Sequence, residues 1–424
     1  MQTASKKVVN GWAMYDWANS VYNLVITTTF FPAYYAAVTA ADNFPNGVPF
    51  LGRYFNNTAL KDYVLAAAFL IIAILSPILS SIADYKGNKK NFMRFFCYMG
   101  ALSCSLMFFF DKGNVTIGLI CFMFAAIGFY GSQVFYNSYL PEIAAEADRD
   151  RISAKGYSYG YIGSVLMQLI GFALVILMPD SPLPLKITFL LVGLWWVSFA
   201  QVTFKVLPIS SIRERKEKKN VLVNGFHELQ IVWNQVRHLP VLKRFLLAFL
   251  FYSMGVQTVM LVGIDFGIKV IKLEDAKLII AAVVIQLVAI GGAYAMSKLS
   301  AVYGNIKVLL LTVFLWIGVC ITGYYITTEM HFYILAGLIG LMMGGIQSLS
   351  RSTYSKLMPE TKDTASFFSF YDVTEKLALG IGLFSFGFVE ELTHSMRNSI
   401  LTLIVFFVLG MIFLSLTLAK QKNK

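Results

Sequence analysis

Charged residues are scarce in this sequence, and their scarcity excludes an ordinary soluble domain. Only 14% of the 424 residues are Asp, Glu, Lys or Arg, whereas 57% are hydrophobic, and the mean hydropathy is +0.66. A soluble globular protein carries about 25% charged residues, which cover its water-facing surface. A chain with so few charges cannot cover such a surface, so we expect a multi-span membrane protein embedded in a lipid bilayer.

The residue patterns of enzymes and metal proteins are also missing. The sequence has no G-x-x-x-x-G-K phosphate loop, which argues against an ATP-driven pump on this chain alone. The stretch "HELQI" begins like a zinc motif, but Ile231 stands where the second His is required. The four Cys residues form no CxxC pair, and the four His residues are scattered. We therefore expect no enzymatic activity, no cofactor and no metal site.

Long apolar runs dominate what is present. A membrane helix needs about 20 mostly apolar residues, and about twelve runs meet this need. Their approximate limits are 14–38, 63–83, 93–110, 115–138, 157–178, 187–207, 244–264, 277–298, 308–327, 332–354, 366–388 and 398–418. No short apolar run with a cleavage site precedes them, so no removable signal is expected.

A basic segment separates two groups of six runs. The expected parts are an N-terminal half over 1–207, a cytoplasmic linker over 208–243 and a C-terminal half over 244–424. The linker contains "RERKEKK", which we interpret as a solvated segment and not as a nucleic-acid-binding tail. An interfacial amphipathic helix is predicted after it, and its apolar face carries Phe226, Leu229, Trp233 and Val236.

Lys and Arg are unevenly distributed between the two sides of such a protein. Most of the 35 fall in the two termini, in alternate loops and in the linker, which all lie on one side of a twelve-span chain. Basic loops mark the cytoplasmic side. We therefore expect both termini in the cytoplasm and the protein in the inner membrane of a bacterial cell. This distribution explains the net charge of +12 without a nucleic-acid partner.

Two motifs recur at the same spacing to within one residue. The fourth run ends in "YNSYLPE" and the tenth in "YSKLMPE". The turn "ADYKGNKK" after the second run matches "SAVYGNIK" after the eighth, with Ala301 in place of Asp84. Two matches at nearly one offset indicate duplicated six-helix halves in parallel orientation. Major facilitator transporters have this arrangement.

Polar residues follow one face of the first run. In "YDWANSVYNLVITTTFF", the side chains of five polar residues project within a sector of roughly 100° on a helix. These residues are Asp16, Asn19, Ser20, Asn23 and Thr27. A polar group facing lipid costs several kcal/mol, so the stripe must face protein or a water-filled cavity.

Three other runs carry comparable polar faces, namely the fourth, seventh and tenth. In a major facilitator fold, these runs and the first line the central cavity. The predicted substrate-binding or coupling residues are Asp16, Asn19, Asn23, Gln133, Tyr136, Asn137, Gln257, Gln347, Arg351 and Lys376. The alternative is that the amides join helices by hydrogen bonds and have no role in transport.

The eleventh run contains Asp372, Glu375 and Lys376. Asp372 and Lys376 are spaced i,i+4, so a local ion pair can neutralise both. Lys376 can instead contact the substrate or an acid across the cavity. The sequence favours neither interpretation.

The turn "SSIADYKGNKK" resembles a major facilitator signature, Gly-x-x-x-Asp-x-x-Gly-Arg/Lys-Arg/Lys, although Ser80 and Asn88 depart from it. Asp84 can accept hydrogen bonds from a helix N-terminus or from a basic group of the other half and so hold the cytoplasmic side shut. Gly87 allows the tight turn. The predicted gating residues are Asp84, Gly87, Lys90, Glu142, Arg149 and Arg151. The alternative is an ordinary basic turn.

Four stretches are similar to one family, the vacuole effluxers of the major facilitator superfamily, which are linked to autophagy in fungi and also occur in bacteria. The stretches are "YDWANSVY", "FYNSYLPEIAAEADRDRISAKGYSYGYIG", "FLLAFLFYSMGVQTV" and "SRSTYSKLMPE…FFSFYDVTEKLALGIGLFSFG". The resemblance implies a twelve-span secondary transporter, and fungal members are associated with amino-acid release from the vacuole. The residues that match the family pattern are Asp16, Trp17, Asn19, Ser20, Pro141, Arg149, Arg151, Gly156, Gly160, Gln257, Arg351, Tyr371 and Lys376.

One position departs from that family pattern. Many relatives have Asp-Gly in the seventh run where this chain has Met254 and Gly255. If that acid carries a proton in relatives, this protein uses Asp16 instead or does without a proton. The coupling ion therefore stays open, with a proton as one candidate.

Together these observations predict an all-α membrane protein with a major facilitator fold and about twelve transmembrane helices in two six-helix halves. We expect a monomeric alternating-access transporter for a small polar solute, with an amino acid or small peptide as the first candidate substrate. Efflux of amphipathic drugs or other metabolites is the alternative within the same class. A non-transporting membrane sensor or scaffold is the alternative from another class, although the loops are too short for an output domain.

Overall fold

The computed structural model describes residues 2–179, 181–209 and 221–422, so the basic run 213–219 lies outside the described residues. The α-helices are α1 (Lys6–Val21), α2 (Phe31–Val38), α3 (Asn57–Lys86), α4 (Lys89–Leu106), α5 (Val115–Ser138), α6 (Leu140–Ile143), α7 (Arg149–Leu177), α8 (Leu183–Val206), α9 (Val221–His238), α10 (Pro240–Phe266), α11 (Asp275–Tyr303), α12 (Asn305–Tyr325), α13 (Glu329–Leu357), α14 (Thr364–Thr393) and α15 (Met396–Lys422).

Short elements complete the chain. A π-helical segment, Tyr22–Phe30, joins α1 to α2, and a second one, Gly267–Ile271, extends α10. The 3₁₀ turns are Met107–Phe109, Lys112–Asn114 and Glu146–Asp148. Strands β1 (Val48–Phe50) and β2 (Arg53–Phe55) form an antiparallel hairpin in the loop after α2, with Val48 opposite Phe55.

The helices account for all twelve predicted runs. The first run comprises α1, the segment Tyr22–Phe30 and α2; the second to sixth are α3, α4, α5, α7 and α8; the seventh to twelfth are α10 to α15. Within the described ranges, ten helical segments are long and apolar enough to cross a membrane. The two runs outside that set are the first run, which carries the polar stripe, and α14, which carries the charges of Asp372, Glu375 and Lys376. The prediction of an all-α membrane protein with about twelve spans is confirmed.

Two hydrophobic clusters form the cores of two helical bundles. The first consists of residues from α1 to α8 and adds Ala365, while the second draws mainly on α9 to α15. Trp12 and Trp196 are fully buried in the first cluster, and Trp316 is fully buried in the second. The bundles meet where α3 packs against α14 and where α7 packs against α11 and α13.

Glycines bring the polar face of α1 against α7. A Cβ atom on Gly163 would lie 2.8 Å from the carbonyl oxygen of Trp17, and one on Gly160 would lie 3.3 Å from the carbonyl oxygen of Asp16. Side chains at these positions would push the helices apart. The small residues of α7 therefore position the polar stripe of the first run at the centre of the molecule.

Helix α9 lies against α3 of one half and against α10 and α14 of the other. Val232 and Val236 are buried, and the ring of Trp233 stacks on Phe370 of α14 with a centroid distance of 5.8 Å. The side chains of Phe226 and Leu229 lie outside the described part of the chain. The described portion of the predicted apolar face therefore contacts protein.

Candidate functional site

A central cavity of about 120 Å³ lies between the two halves. It is bordered by α1 and the segment Tyr22–Phe30, by α5 and α7 of the same half, and by α10, α13 and α14 of the other half. Its polar lining residues are Asp16, Ser20, Asn23, Tyr130, Gln133, Asn137, Tyr157, Tyr161, Gln257, Gln347, Tyr371, Glu375 and Lys376. The first, fourth, seventh and tenth runs thus border the cavity together with the fifth and eleventh.

Three predicted site residues do not line this cavity, namely Asn19, Tyr136 and Arg351. Asn19 is fully buried, and neither polar atom of its amide has a hydrogen-bond partner. Positions three apart on a helix differ in direction by about 60°, so Asn19 turns away from the face that Asp16 and Asn23 share. Its predicted place on the cavity wall is corrected accordingly.

The floor of the cavity is a hydrogen-bonded network centred on Arg351, whose side chain is 1% exposed. The Nη1 group of Arg351 donates to Asp16 Oδ2 at 3.3 Å and to Asn137 Oδ1 at 3.1 Å. Its Nε and Nη2 groups donate to the Oγ and the carbonyl oxygen of Ser153, both at 2.9 Å. Tyr136 Oη donates to Asp16 Oδ2 at 2.7 Å. Residues of α1, α5 and α7 are therefore tied to α13 of the other half.

Aromatic rings complete the environment of the Arg351 guanidinium. Its carbon lies 4.2 Å from the ring centroid of Tyr157, 4.8 Å from that of Trp12 and 5.5 Å from that of Tyr136. Cation–π contacts of this kind are strongest where the cation is desolvated. Arg351 is therefore held by four hydrogen bonds and three rings in this state.

A second charged group lies on α14. Lys376 Nζ donates to Asp372 Oδ1 at 2.8 Å, so the i,i+4 pair considered from the sequence is formed. The same Nζ lies 3.5 Å from Glu375 Oε2 and 4.7 Å from the ring centroid of Tyr130. Gln257 Nε2 of α10 donates to Glu375 Oε1 at 2.8 Å. Lys376 thus both pairs locally and lines the cavity.

An apolar cavity of about 130 Å³ adjoins the central one. It lies mainly among α10, α11, α12, α13 and α15, and most of its lining is aliphatic or phenylalanine. Leu24, Met260 and Met343 line both cavities, which are therefore neighbours. Sequence reasoning missed this space because aliphatic residues in a membrane helix carry no positional signal.

Below the floor, contacts between the halves close the side of the bundle where both chain ends lie, here called the terminal face. Asp84, at the end of α3, accepts hydrogen bonds from the backbone N–H groups of Ala365 at 3.3 Å and Ser366 at 2.7 Å. Ser366 Oγ also donates to it, at 2.8 Å. A carboxylate at a helix N-terminus is stabilised by the helix dipole. Gly87 makes the following turn with a φ of 63°.

Lys89 makes the contact between the halves that the sequence analysis expected of Lys90. Its buried Nζ forms an ion pair with Glu142, donates to Thr364 Oγ1 at 2.7 Å and lies 3.7 Å from Asp84. Lys90 is half-buried, and none of the contacts in the described chain that link the halves involves it. The contacts between the halves on the terminal face are called the seam below. Because α4 begins at Lys89, the side chain of the next residue, Lys90, points about 100° away from the seam. Lys89 therefore makes the contact at this place, and the gating role of Lys90 stays a prediction.

Arg149 and Arg151 differ in the same way. Arg149 Nη1 donates to the carbonyl oxygen of Ser355 at 2.7 Å, which links α7 to the end of α13. The side chain of Arg151 is 66% exposed and pairs with Asp148 of its own half at 2.8 Å. Among the described residues Arg151 makes no contact across the seam, and its gating role stays a prediction.

Asp150 was missed by sequence reasoning, although it is buried at this seam. It accepts hydrogen bonds from Ser300 Oγ at 2.9 Å and Asn305 Nδ2 at 2.7 Å, and Lys356 Nζ lies at 2.7 Å. A spacing signal existed, because Asp150, Ser153 and Gly156 stand three apart on one face of α7. The repeated turn after α11 thus meets an acid of the other half, although Ala301 replaces its own acid and is exposed.

Comparison with known proteins agrees with this architecture. A family model described as "Vacuole effluxer Atg22 like" matches residues 4–424. The chain is 31% identical over 418 residues to the uncharacterized MFS-type transporter YxiO of Bacillus subtilis strain 168, covering 96% of this chain and 94% of that protein. It is 22% identical over 450 residues to autophagy-related protein 22 of Yarrowia lipolytica, covering 85% of this chain and 76% of that protein.

Solved structures show the same fold. The human organic anion transporter MFSD10 matches with a TM-score of 0.72 at 13% identity, over 96% of this chain and 98% of that one. The proton:xylose symporter XylE matches with a TM-score of 0.70 at 10% identity, over 96% of this chain and 93% of that one. The protein is thus a multi-pass membrane transporter of the major facilitator type and not an enzyme. With its family model matched from residue 4 to residue 424, the chain belongs to the vacuole effluxer Atg22-like family.

Proposed function

We propose that this protein moves a small polar solute across the membrane by alternating access, with an amino acid or small peptide as the first candidate. The observation that carries the proposal is the central cavity, which takes polar and charged residues from both halves. Its amides, hydroxyls and paired charges suit a solute that bears both amine and carboxyl groups. Major facilitator transporters bind their substrates at this interface and rock one half against the other.

The proposed direction of opening follows from the closed terminal face. We assign this face to the cytoplasm, because most Lys and Arg residues lie on its side. The structure then represents a state closed toward the cytoplasm. The proposed gate consists of Asp84 and Gly87 at the α3 turn, Glu142 with Lys89, and Arg149. These groups must separate before solute can pass to the cytoplasmic side.

The proposal extends to membrane and assembly. We propose the inner membrane of a bacterial cell, a monomer, and the boundaries 1–207, 208–243 and 244–424 for the two halves and their cytoplasmic linker. A proton is the proposed coupling ion, since buried carboxylates lie at the cavity floor and wall.

Efflux of amphipathic drugs or other metabolites is the second candidate, and one observation favours it. The apolar cavity adjoins the polar one, and Leu24, Met260 and Met343 line both. A solute with a polar head and an apolar tail would fill both spaces, whereas a small polar solute needs only the central cavity.

Uptake by proteoliposomes tests the two candidates together. Purified protein is reconstituted and given a panel of labelled amino acids, dipeptides and amphipathic amines, with and without an imposed pH gradient. Accumulation of an amino acid or dipeptide above that of empty liposomes supports the first candidate. Accumulation confined to the amphipathic amines supports the second, and no accumulation of any solute contradicts both.

A further inference from the structure

The central cavity holds one more carboxylate than it holds cations. Three carboxylates, of Asp16, Asp372 and Glu375, lie on the cavity or directly against its lining, and the cations paired with them are Arg351 and Lys376. Asp16 pairs with Arg351, and Asp372 pairs with Lys376. If all five groups are ionised, one negative charge remains.

Glu375 is the carboxylate left over, and it is also the one open to the cavity. Its side chain is 28% exposed, whereas that of Asp372 is 5% exposed. One oxygen of Glu375 accepts the Gln257 amide at 2.8 Å. The other lies 3.5 Å from Lys376 Nζ, which is already bonded to Asp372 at 2.8 Å. Glu375 therefore has an amide donor and a share of one lysine, but no cation of its own.

Among the residues that the structure describes, the surroundings of Glu375 supply no further positive charge. The elements packed around it contribute neutral or already paired groups: Tyr130 on α5, Tyr157 on α7, Gln257 and Tyr252 on α10, Arg351 on α13, and Tyr371, Asp372 and Lys376 on α14. An uncompensated charge away from bulk water costs several kcal/mol. One monovalent cationic group bound in the cavity would neutralise this charge.

We infer that Glu375 is the cation-binding residue of the cavity and that it holds either a proton or a primary ammonium group of the solute. Either occupant neutralises the surplus charge, and both use the same carboxylate. The inference rests on the proposed function only in taking this cavity as the solute site. It assigns the exchangeable cation to α14, whereas the sequence considered Asp16 for coupling.

Infrared titration of the full-length protein in lipid nanodiscs tests whether Glu375 binds a proton. As buffer changes from mildly acidic to mildly alkaline, we expect the wild type to lose one protonated-carboxyl band. Glu375→Gln should lack this band, because the cavity is then neutral. Asp372→Asn should lack it too, because Lys376 is then free to neutralise Glu375. Glu390→Gln, on the outer end of the same helix, is the control that should keep it.

Methylammonium chloride tests whether Glu375 binds a primary ammonium group, with sodium chloride at equal ionic strength as the control. In alkaline buffer, methylammonium should raise the melting temperature of the wild type and leave Glu375→Gln unchanged. A proton response alone identifies the occupant as a proton, and an amine response identifies a site for ammonium groups. The inference is overturned if either folded variant keeps the wild-type carboxyl band and methylammonium has no effect.

Asp372→Asn carries the same expectation should Glu375→Gln fail to fold. Neither readout requires transport, so a negative result here leaves the proposed transport standing. Conversely, failure to find a transported solute leaves the titration of Glu375 unaffected.

Discussion

Arg351 on α13 and Asp16 on α1 are joined by a hydrogen bond of 3.3 Å between Nη1 and Oδ2, which links the two halves beneath the cavity. Both side chains are almost fully buried. Removing one partner of a buried ion pair leaves the other charge uncompensated, at a cost of about 3–5 kcal/mol. The pair is therefore stable while the floor is closed, and it must part or change protonation for the floor to open.

Replacing Asp16 by Asn tests this pair. Asn keeps the volume and still accepts from Tyr136, but it removes the charge that faces Arg351. We expect folded, membrane-inserted protein with a lower melting temperature, since a hydrogen bond to a charged group contributes about 1.5–3 kcal/mol to stability. We also expect a transport rate reduced at least about tenfold, because Arg351 then lacks the charged partner with which it pairs each time the floor closes. Any remaining transport should depend less on pH. Asp148→Asn, at an exposed acid of the same half, is the control, and a wild-type rate with an unchanged pH profile in Asp16→Asn would contradict the expectation.

Replacing Asp84 by Asn tests the contact with the N-terminus of α14. The neutral side chain loses its attraction to the helix dipole and one of its acceptor oxygens. A loss of about 1 kcal/mol shifts a two-state population about fivefold. A cysteine introduced at Ser355 should then react about fivefold faster with a water-soluble maleimide added on the terminal face. Asp62→Asn, at the other end of α3, should leave the labelling rate unchanged. Equal labelling rates in the wild type, Asp84→Asn and Asp62→Asn backgrounds would show that Asp84 does not keep the terminal face closed.

Lys376 is expected to be functional and not merely the partner of Asp372. Lys376→Met should abolish uptake, because it removes a cation from the cavity wall. The double variant Asp372→Asn with Lys376→Met removes the pair without leaving an unpaired Asp372. We expect this double variant to stay inactive in the uptake assay. Recovery of transport in the double variant would reduce Lys376 to a structural role.

Asp150 and Arg151 are neighbours with opposite expectations. Asp150→Asn should speed labelling of the Ser355 cysteine, because three donors of the other half lose a buried charge. Arg151→Gln should have no effect, since within the described ranges Arg151 pairs with Asp148 of its own half at the surface. A double-mutant cycle of Asp150→Asn with Lys356→Met isolates their direct interaction. Strictly additive effects would contradict the contact between these two residues.

Sequence reasoning reached the fold because its signals are long and redundant. Twelve apolar runs and a repeated pair of motifs do not depend on single positions. The polar stripe of the first run was informative for the same reason, since Asp16 and Asn23 recur at helical spacing and both line the cavity.

Single positions near helix ends were less accessible to sequence reasoning. Lys89 and Lys90 are alike in sequence, and only the start of α4 decides which one faces the seam. Asn19 falls within the polar sector of the first run. Its side chain nevertheless points about 60° away from that of Asp16 and does not line the cavity. The surplus charge at Glu375 emerged only when the pairing of all five charged groups could be seen together.

Solute counterflow in proteoliposomes tests the central claim most directly, because it requires one site to face both sides of the membrane in turn. Liposomes are loaded with a high concentration of the unlabelled solute that the uptake panel identifies and diluted into a trace of the labelled form. We predict transient accumulation of label above equilibrium with the wild type, and little or none with Asp16→Asn. Label that never rises above the level in empty liposomes, for any solute of the panel, would contradict alternating access by this protein.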